Sequence, residues 1–131
     1  MTSQTGSWSG APKLAKVAWG ILLVASVLGV VNHALGVFTI AERDPERLMF
    51  ALFACLNVYA TAVLLGPYRR GEIWAWLVTW IEVAAFALVY PFTGPEPGTW
   101  YLIGAGIAAL AQAVSLPWFR SLSQGMVRAD A

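Results

Sequence analysis

The chain has 131 residues, 59% of them apolar and 11% charged, with a formal net charge of +1. A soluble domain of this length does not need so apolar a composition, so the chain reads as a membrane protein. The near-zero net charge provides no general basic surface, and no nucleic-acid partner is expected. The single cysteine, Cys55, has no partner for an internal disulfide and is expected to act as a small buried side chain.

Residues 1–12, rich in Ser, Thr and Gly, read as a flexible cytoplasmic tail. A helix crosses the hydrocarbon core in roughly 20 residues, and four apolar runs of about that length follow at 17–40, 48–66, 73–92 and 100–119. Lys13 and Lys16 before an apolar run have the charge pattern of a signal peptide. The run continues past Asn32 and His33 to Ile40, so a retained helix is expected. The breaks Glu42 to Arg47, Gly66 to Gly71 and Thr93 to Gly98 are short and rich in Pro, Gly or charge, which predicts antiparallel neighbours. Asp44 before Pro45 reads as an N-cap, and Thr99 as a cap for the fourth helix. Residues 121–131 read as a second cytoplasmic tail. The expected fold is all-α: an integral membrane four-helix bundle over residues 13–120.

Orientation follows from the cations. Lys13, Lys16, Arg69, Arg70, Arg120 and Arg128 fall on one side, against Arg43 and Arg47 on the other. Short loops rich in Lys and Arg stay cytoplasmic, so both termini are expected inside, with the plasma membrane as host. Trp19, Tyr68, Trp74, Trp76 and Trp118 then mark the inner interface. Tyr90, Phe92, Trp100 and Tyr101 mark the outer one.

The segment Arg69-Arg70-Gly71-Glu72-Ile73-Trp74-Ala75-Trp76 resembles a stretch of small four-helix membrane proteins, some of them loosely DoxX-like. The likeness covers eight residues and implies a small four-helix integral membrane architecture. Physically, Arg69 and Arg70 hold the loop inside, Glu72 favours the positive helix N-terminus, and Trp74 and Trp76 anchor it.

Each span carries interior polar side chains: Asn32 and His33 in the first, Asn57 in the second, Glu82 in the third and Gln112 in the fourth. A rise of about 1.5 Å per residue puts Glu82 roughly 15 Å from its inner end, near the midplane, with Asn57 and Gln112 at similar depth. Charged side chains survive there only facing the bundle or a wet cavity. Small residues share these stripes: Gly29 and Gly36 with His33, Ala54 and Thr61 with Asn57, and Ala105, Ala108, Ala109 and Ser115 with Gln112. Thr79, Ala75, Ala85 and Phe86 lie with Glu82. Such faces let backbones approach, which predicts one polar cluster where four faces meet.

In the reading this favours, the cluster is an intramembrane pocket for a lipophilic small molecule or lipid. Glu82 would donate a proton, with His33 as partner or base. Asn32, Asn57 and Gln112 would orient the molecule, and Trp80 would line the site. Whether such a site performs chemistry is left open by the sequence. An accessory or scaffold subunit of a larger membrane complex, using these residues only to hold helices together, is the first alternative. A proton-coupled transporter acting as a homo-oligomer is the second. One histidine, one cysteine and one deep carboxylate make no metal or haem set, and no cofactor is expected.

Overall fold

The computed structural model describes residues 8–129, with side chains as far as Ser123. Four helices make up the fold: α1 (Lys13–Thr39), α2 (Asp44–Leu65), α3 (Ile73–Thr93) and α4 (Pro95–Ala129), preceded by a 3-10 turn over Trp8–Gly10. No strand occurs among the described residues. All four helices are long and apolar enough to cross a membrane. Their outward faces are apolar along the length: Val17, Ile21, Val24, Leu28, Val31, Leu35 and Phe38 on α1 are all exposed. The buried set includes Ser26, His33, Asn57, Thr79, Glu82, Gln112 and Ser115. Apolar surface outside and polar groups within is the arrangement hydrocarbon favours, and the protein is a small four-helix membrane protein. Cys55 departs from expectation by lying on the exposed face of α2.

Helix boundaries shift from those expected for local reasons. The cap of α2 falls on Arg43, which places Asp44 and Pro45 in the first turn. Extended backbone at Glu96 (φ −124°, ψ 121°) interrupts the start of α4, so Thr99 lies inside the following helix and not at its cap. α4 runs on through Pro117 to Ala129. Leu122 explains part of that extension: it packs on the core, against Gly71 in the α2–α3 turn. Gly71 has φ +73°, a conformation that disfavours side chains, and a Cβ there would also overlap Leu122. Glycine is therefore required twice over at this position.

The helices form two antiparallel hairpins. In the first, Gly29 of α1 faces Asn57 of α2, and Gly36 faces Phe50, seven residues further along each helix in opposite directions. His33 stacks on Phe53 between them, with ring centroids 5.1 Å apart. Repeats of seven keep one seam in register between two helices. In the second hairpin, Phe86 of α3 meets Tyr101 of α4 at 5.9 Å, and the Trp76 indole reaches the Gln112 carbonyl at 2.9 Å. The hairpins join closely along α1 and α4, whereas α2 and α3 pack only sparsely. Going round the bundle the order is α2, α1, α4, α3, with the last gap partly open.

The α1–α2 seam depends on the missing side chains at Gly29 and Gly36. A Cβ at Gly29 would overlap the Asn57 amide, and one at Gly36 the Phe50 ring, whereas one at Gly20 meets nothing. Gly29→Ala should therefore destabilise the protein by about 1 to 3 kcal/mol through overpacking. Gly20→Ala should be neutral, or stabilise by up to about 1 kcal/mol. Unfolding of both variants in the same detergent checks this, and equal effects would count against the seam.

Candidate functional site

The interior polar residues do not gather into one cluster. They occupy three levels, each joining different helices. At the level nearest the α2–α3 turn, the Tyr68 hydroxyl donates to Ser115 Oγ at 2.7 Å. Ser115 Oγ and Trp76 Nε1 both donate to the Gln112 backbone carbonyl, at 2.8 and 2.9 Å. The Gln112 side-chain amide donates to Thr79 Oγ1, and Thr79 in turn donates to the Trp76 carbonyl at 2.9 Å. The set binds α3, α4 and the turn into one unit.

The middle level is a single pair. Ser26 of α1 donates to Glu82 of α3, 2.8 Å from Oε1 and 3.1 Å from Oε2. Ser26 is fully buried and Glu82 is 5% exposed. α1 and α3 lie diagonally across the bundle, so this bond bridges the two hairpins through the centre. Sequence reasoning gave Ser26 no role, although it lies on the stripe of Leu22, Gly29, His33 and Gly36 at helical spacing. That spacing was the available signal.

At the far level His33 is held on both ring nitrogens. Nδ1 lies 2.8 Å from the Gly29 carbonyl and Nε2 lies 2.8 Å from the Tyr101 hydroxyl. A carbonyl only accepts, so Nδ1 carries the proton and Nε2 accepts from Tyr101. Asn57 donates to the Phe53 carbonyl at 2.7 Å, and its Nδ2 lies 3.4 Å from His33 Nδ1. His33 is two helical turns from Ser26, about 10 Å along α1. The expected pairing of His33 with Glu82 is therefore not made, and Ser26 takes that place. Tyr68 and Tyr101, read as interface anchors, instead supply hydroxyls to the interior network.

The remaining expected site residues lie apart from Glu82's bond. Asn32 is exposed on α1 with the Tyr101 hydroxyl beside it. Trp80 is half-buried, edge-on to Trp76 at 5.7 Å, with its Nε1 buried and unpaired. Asn57 Oδ1, Thr61 Oγ1 and Gln112 Oε1 are likewise buried without partners among the described residues. No group of three metal-ligating side chains occurs among the described residues.

A lateral opening adjoins the central pair. Between α2 and α3 a fissure is lined by Leu56, Tyr59, Ala60 and Val63 on one wall and Val78, Thr79, Ile81 and Glu82 on the other. It is shallow and partly open to the surroundings, with enclosed room of about 10 Å³, that of one water-sized sphere. Tyr59 and Ile81 at its sides are more than half exposed. Tyr59, absent from the sequence-based site, brings a phenol to the outer face of a spanning helix.

Two outcomes follow. Removing either partner of the central bond strands the other in a dry interior, so Ser26→Ala and Glu82→Leu should each cost about 1 to 3 kcal/mol, while the double variant costs less than their sum. Strict additivity in a double-mutant cycle would dismiss the bond as a strut. Burial pushes the Tyr68 hydroxyl up to about 12, against the smaller opposing effect of its bond to Ser115. The neutral phenol is favoured in the fold, so stability conferred by Tyr68 is full below pH 10 and declines as pH rises from 10 toward 12. Tyr68→Phe should be less stable at neutral pH and show a shallower alkaline decline.

No family model, no curated protein and no solved structure matches this chain.

Proposed function

We propose that this membrane protein holds a lipophilic molecule in the fissure between α2 and α3, with the molecule's polar group directed at Glu82. The supporting observation is the position of that carboxyl: it lines the one gap where neighbouring helices pack sparsely, and the gap opens sideways. A ligand arriving through hydrocarbon needs a lateral entry and a polar terminus; the sparse α2–α3 packing supports the first, and Glu82, behind the apolar walls, is the group proposed for the second. The Thr79 hydroxyl is committed within the protein, to the Trp76 carbonyl and the Gln112 amide, which leaves Tyr59 as the hydroxyl at the margin of the fissure. The enclosed room is only about 10 Å³, far below the roughly 300 to 1,000 Å³ of complete ligand pockets, so the molecule would lie mainly in lipid with only its end entering the fissure.

Native purification followed by mass spectrometry of bound small molecules tests the reading. A lipophilic molecule should accompany the wild type in stoichiometric amount. Leu56→Trp, which fills the fissure, and Tyr59→Leu, at its margin, should lose it while keeping the melting temperature. Equal retention by all three proteins, or none by the wild type, would reject the fissure as a binding site.

A second reading, an accessory subunit of a larger membrane complex, is favoured by Asn32. This polar side chain is exposed on a spanning helix, where a neighbouring helix would take the hydrogen bonds that Tyr101 leaves unused. A stoichiometric protein partner in the same purification, lost on Asn32→Leu, would support it.

A further inference from the structure

At the end of the bundle holding the α2–α3 turn, the chain preceding α1 folds back over the helices. Trp8 wedges between Trp19 of α1 and Trp118 of α4, edge-on to both, with ring centroids 5.4 and 5.3 Å away. Trp118 continues the row to Phe119 at 4.8 Å, and Phe119 to Tyr68 at 4.8 Å. The Trp19 indole is fixed from the other side, donating to the Leu64 carbonyl at 2.8 Å. The two indoles form a corner whose walls are set by buried contacts.

Arg69 occupies that corner. Its guanidinium carbon lies 5.7 Å from the Trp8 ring centroid and 5.5 Å from that of Trp19. Attraction to the two ring faces positions the cation without using its N–H donors. The Arg69 side chain makes no hydrogen bond or ion pair among the described residues, and the residue is exposed. Arg70, next in sequence, differs: its Nε lies 2.5 Å from Glu72, and it holds the Glu72 carboxyl below the usual range. A second cation stands beside the corner, because Lys16 donates to the Ser9 carbonyl at 2.8 Å, one residue from Trp8 and one turn of α1 from Trp19. That ammonium also lacks a carboxylate among the described residues.

We propose that the corner formed by Trp8, Trp19, Arg69 and Lys16 binds the phosphate of an anionic phospholipid. A guanidinium whose donors are unbonded among the described residues can form paired hydrogen bonds to phosphate oxygens, and Lys16 supplies a second charge. Its place at the end of a spanning helix, among interfacial aromatics, puts it where headgroups lie and where acyl chains can run down the apolar faces of α1 and α2. The Arg70–Glu72 pair leaves Arg69 as the arginine of this turn with unused charge. This site is separate from the fissure and does not depend on it.

The test titrates the full chain in neutral detergent with phosphatidylglycerol or phosphatidylcholine, read by native mass spectrometry. Phosphatidylglycerol should be retained in preference. Arg69→Gln should weaken that retention about five-fold, the effect of one interfacial cation, and Arg69→Lys should weaken it less. Arg43→Gln, at the opposite end, should leave it unchanged. Equal retention of the two lipids, or equal loss in the Arg43 and Arg69 variants, overturns the proposal. Displacement of the lipid by an equal concentration of inorganic phosphate would also overturn it, making the ligand a free anion. Wild-type melting of Arg69→Lys in detergent keeps loss of the site distinct from loss of the fold.

Discussion

A carboxyl group at the centre of four apolar helices must find its hydrogen-bond donor inside the protein, because hydrocarbon offers none. Glu82 finds it in Ser26, on the helix diagonally opposite. The rest of the architecture is consistent with that bond. Reaching the carboxyl requires α1 to lie close to the bundle axis, which the glycines facing α2 and the seam with α4 allow. Neighbouring helices in lipid gain little from burying apolar surface against one another, so close contact and internal polar bonds carry much of the association. Each of the three polar levels joins a different set of helices. Gln112 and its neighbours tie α3 to α4, Ser26 and Glu82 tie the hairpins together, and His33 and Tyr101 link α1 to α4.

Helix number and approximate ends were legible because bilayer thickness imposes a length and the breaking residues are concentrated between Glu42 and Arg47, Gly66 and Gly71, and Thr93 and Gly98. The inward faces were legible too: Ala105, Ala108 and Ser115 share burial with Gln112, as Ala75 and Thr79 do with Glu82. Pairing across helices was not. Spacing along one helix states which residues share a face, but the vertical offset between helices depends on tilt and seam register, which a single chain does not encode locally. His33 and Glu82 therefore looked close enough to pair, while Ser26, two turns away on the same stripe, holds the bond.

Hydroxyl groups were the most misleading signal. Tyrosine near a span end fits the aromatic belt, and Tyr68 and Tyr101 satisfy that rule by position. Both hydroxyls instead bond to partners on other elements, Ser115 and His33. A phenol is long enough to lie near the interface by its Cα and reach inward with its oxygen. Trp8 was overlooked for the converse reason: a lone indole in a Ser- and Gly-rich stretch reads as tail, and only the packed structure shows Trp19 and Trp118 on either side of it.

The uneven packing around the bundle has a mechanical consequence. With each hairpin tightly paired and the two joined along α1 and α4, the molecule resembles a pair of plates bound along one edge. A small rotation of one plate about that spine would separate α2 from α3 while preserving the pairs inside each plate. Such a rotation would load the Ser26–Glu82 bond, the α2–α3 turn and the sparse α2–α3 contacts. Glu82 thus belongs both to the bond that crosses the bundle and to the wall of the gap.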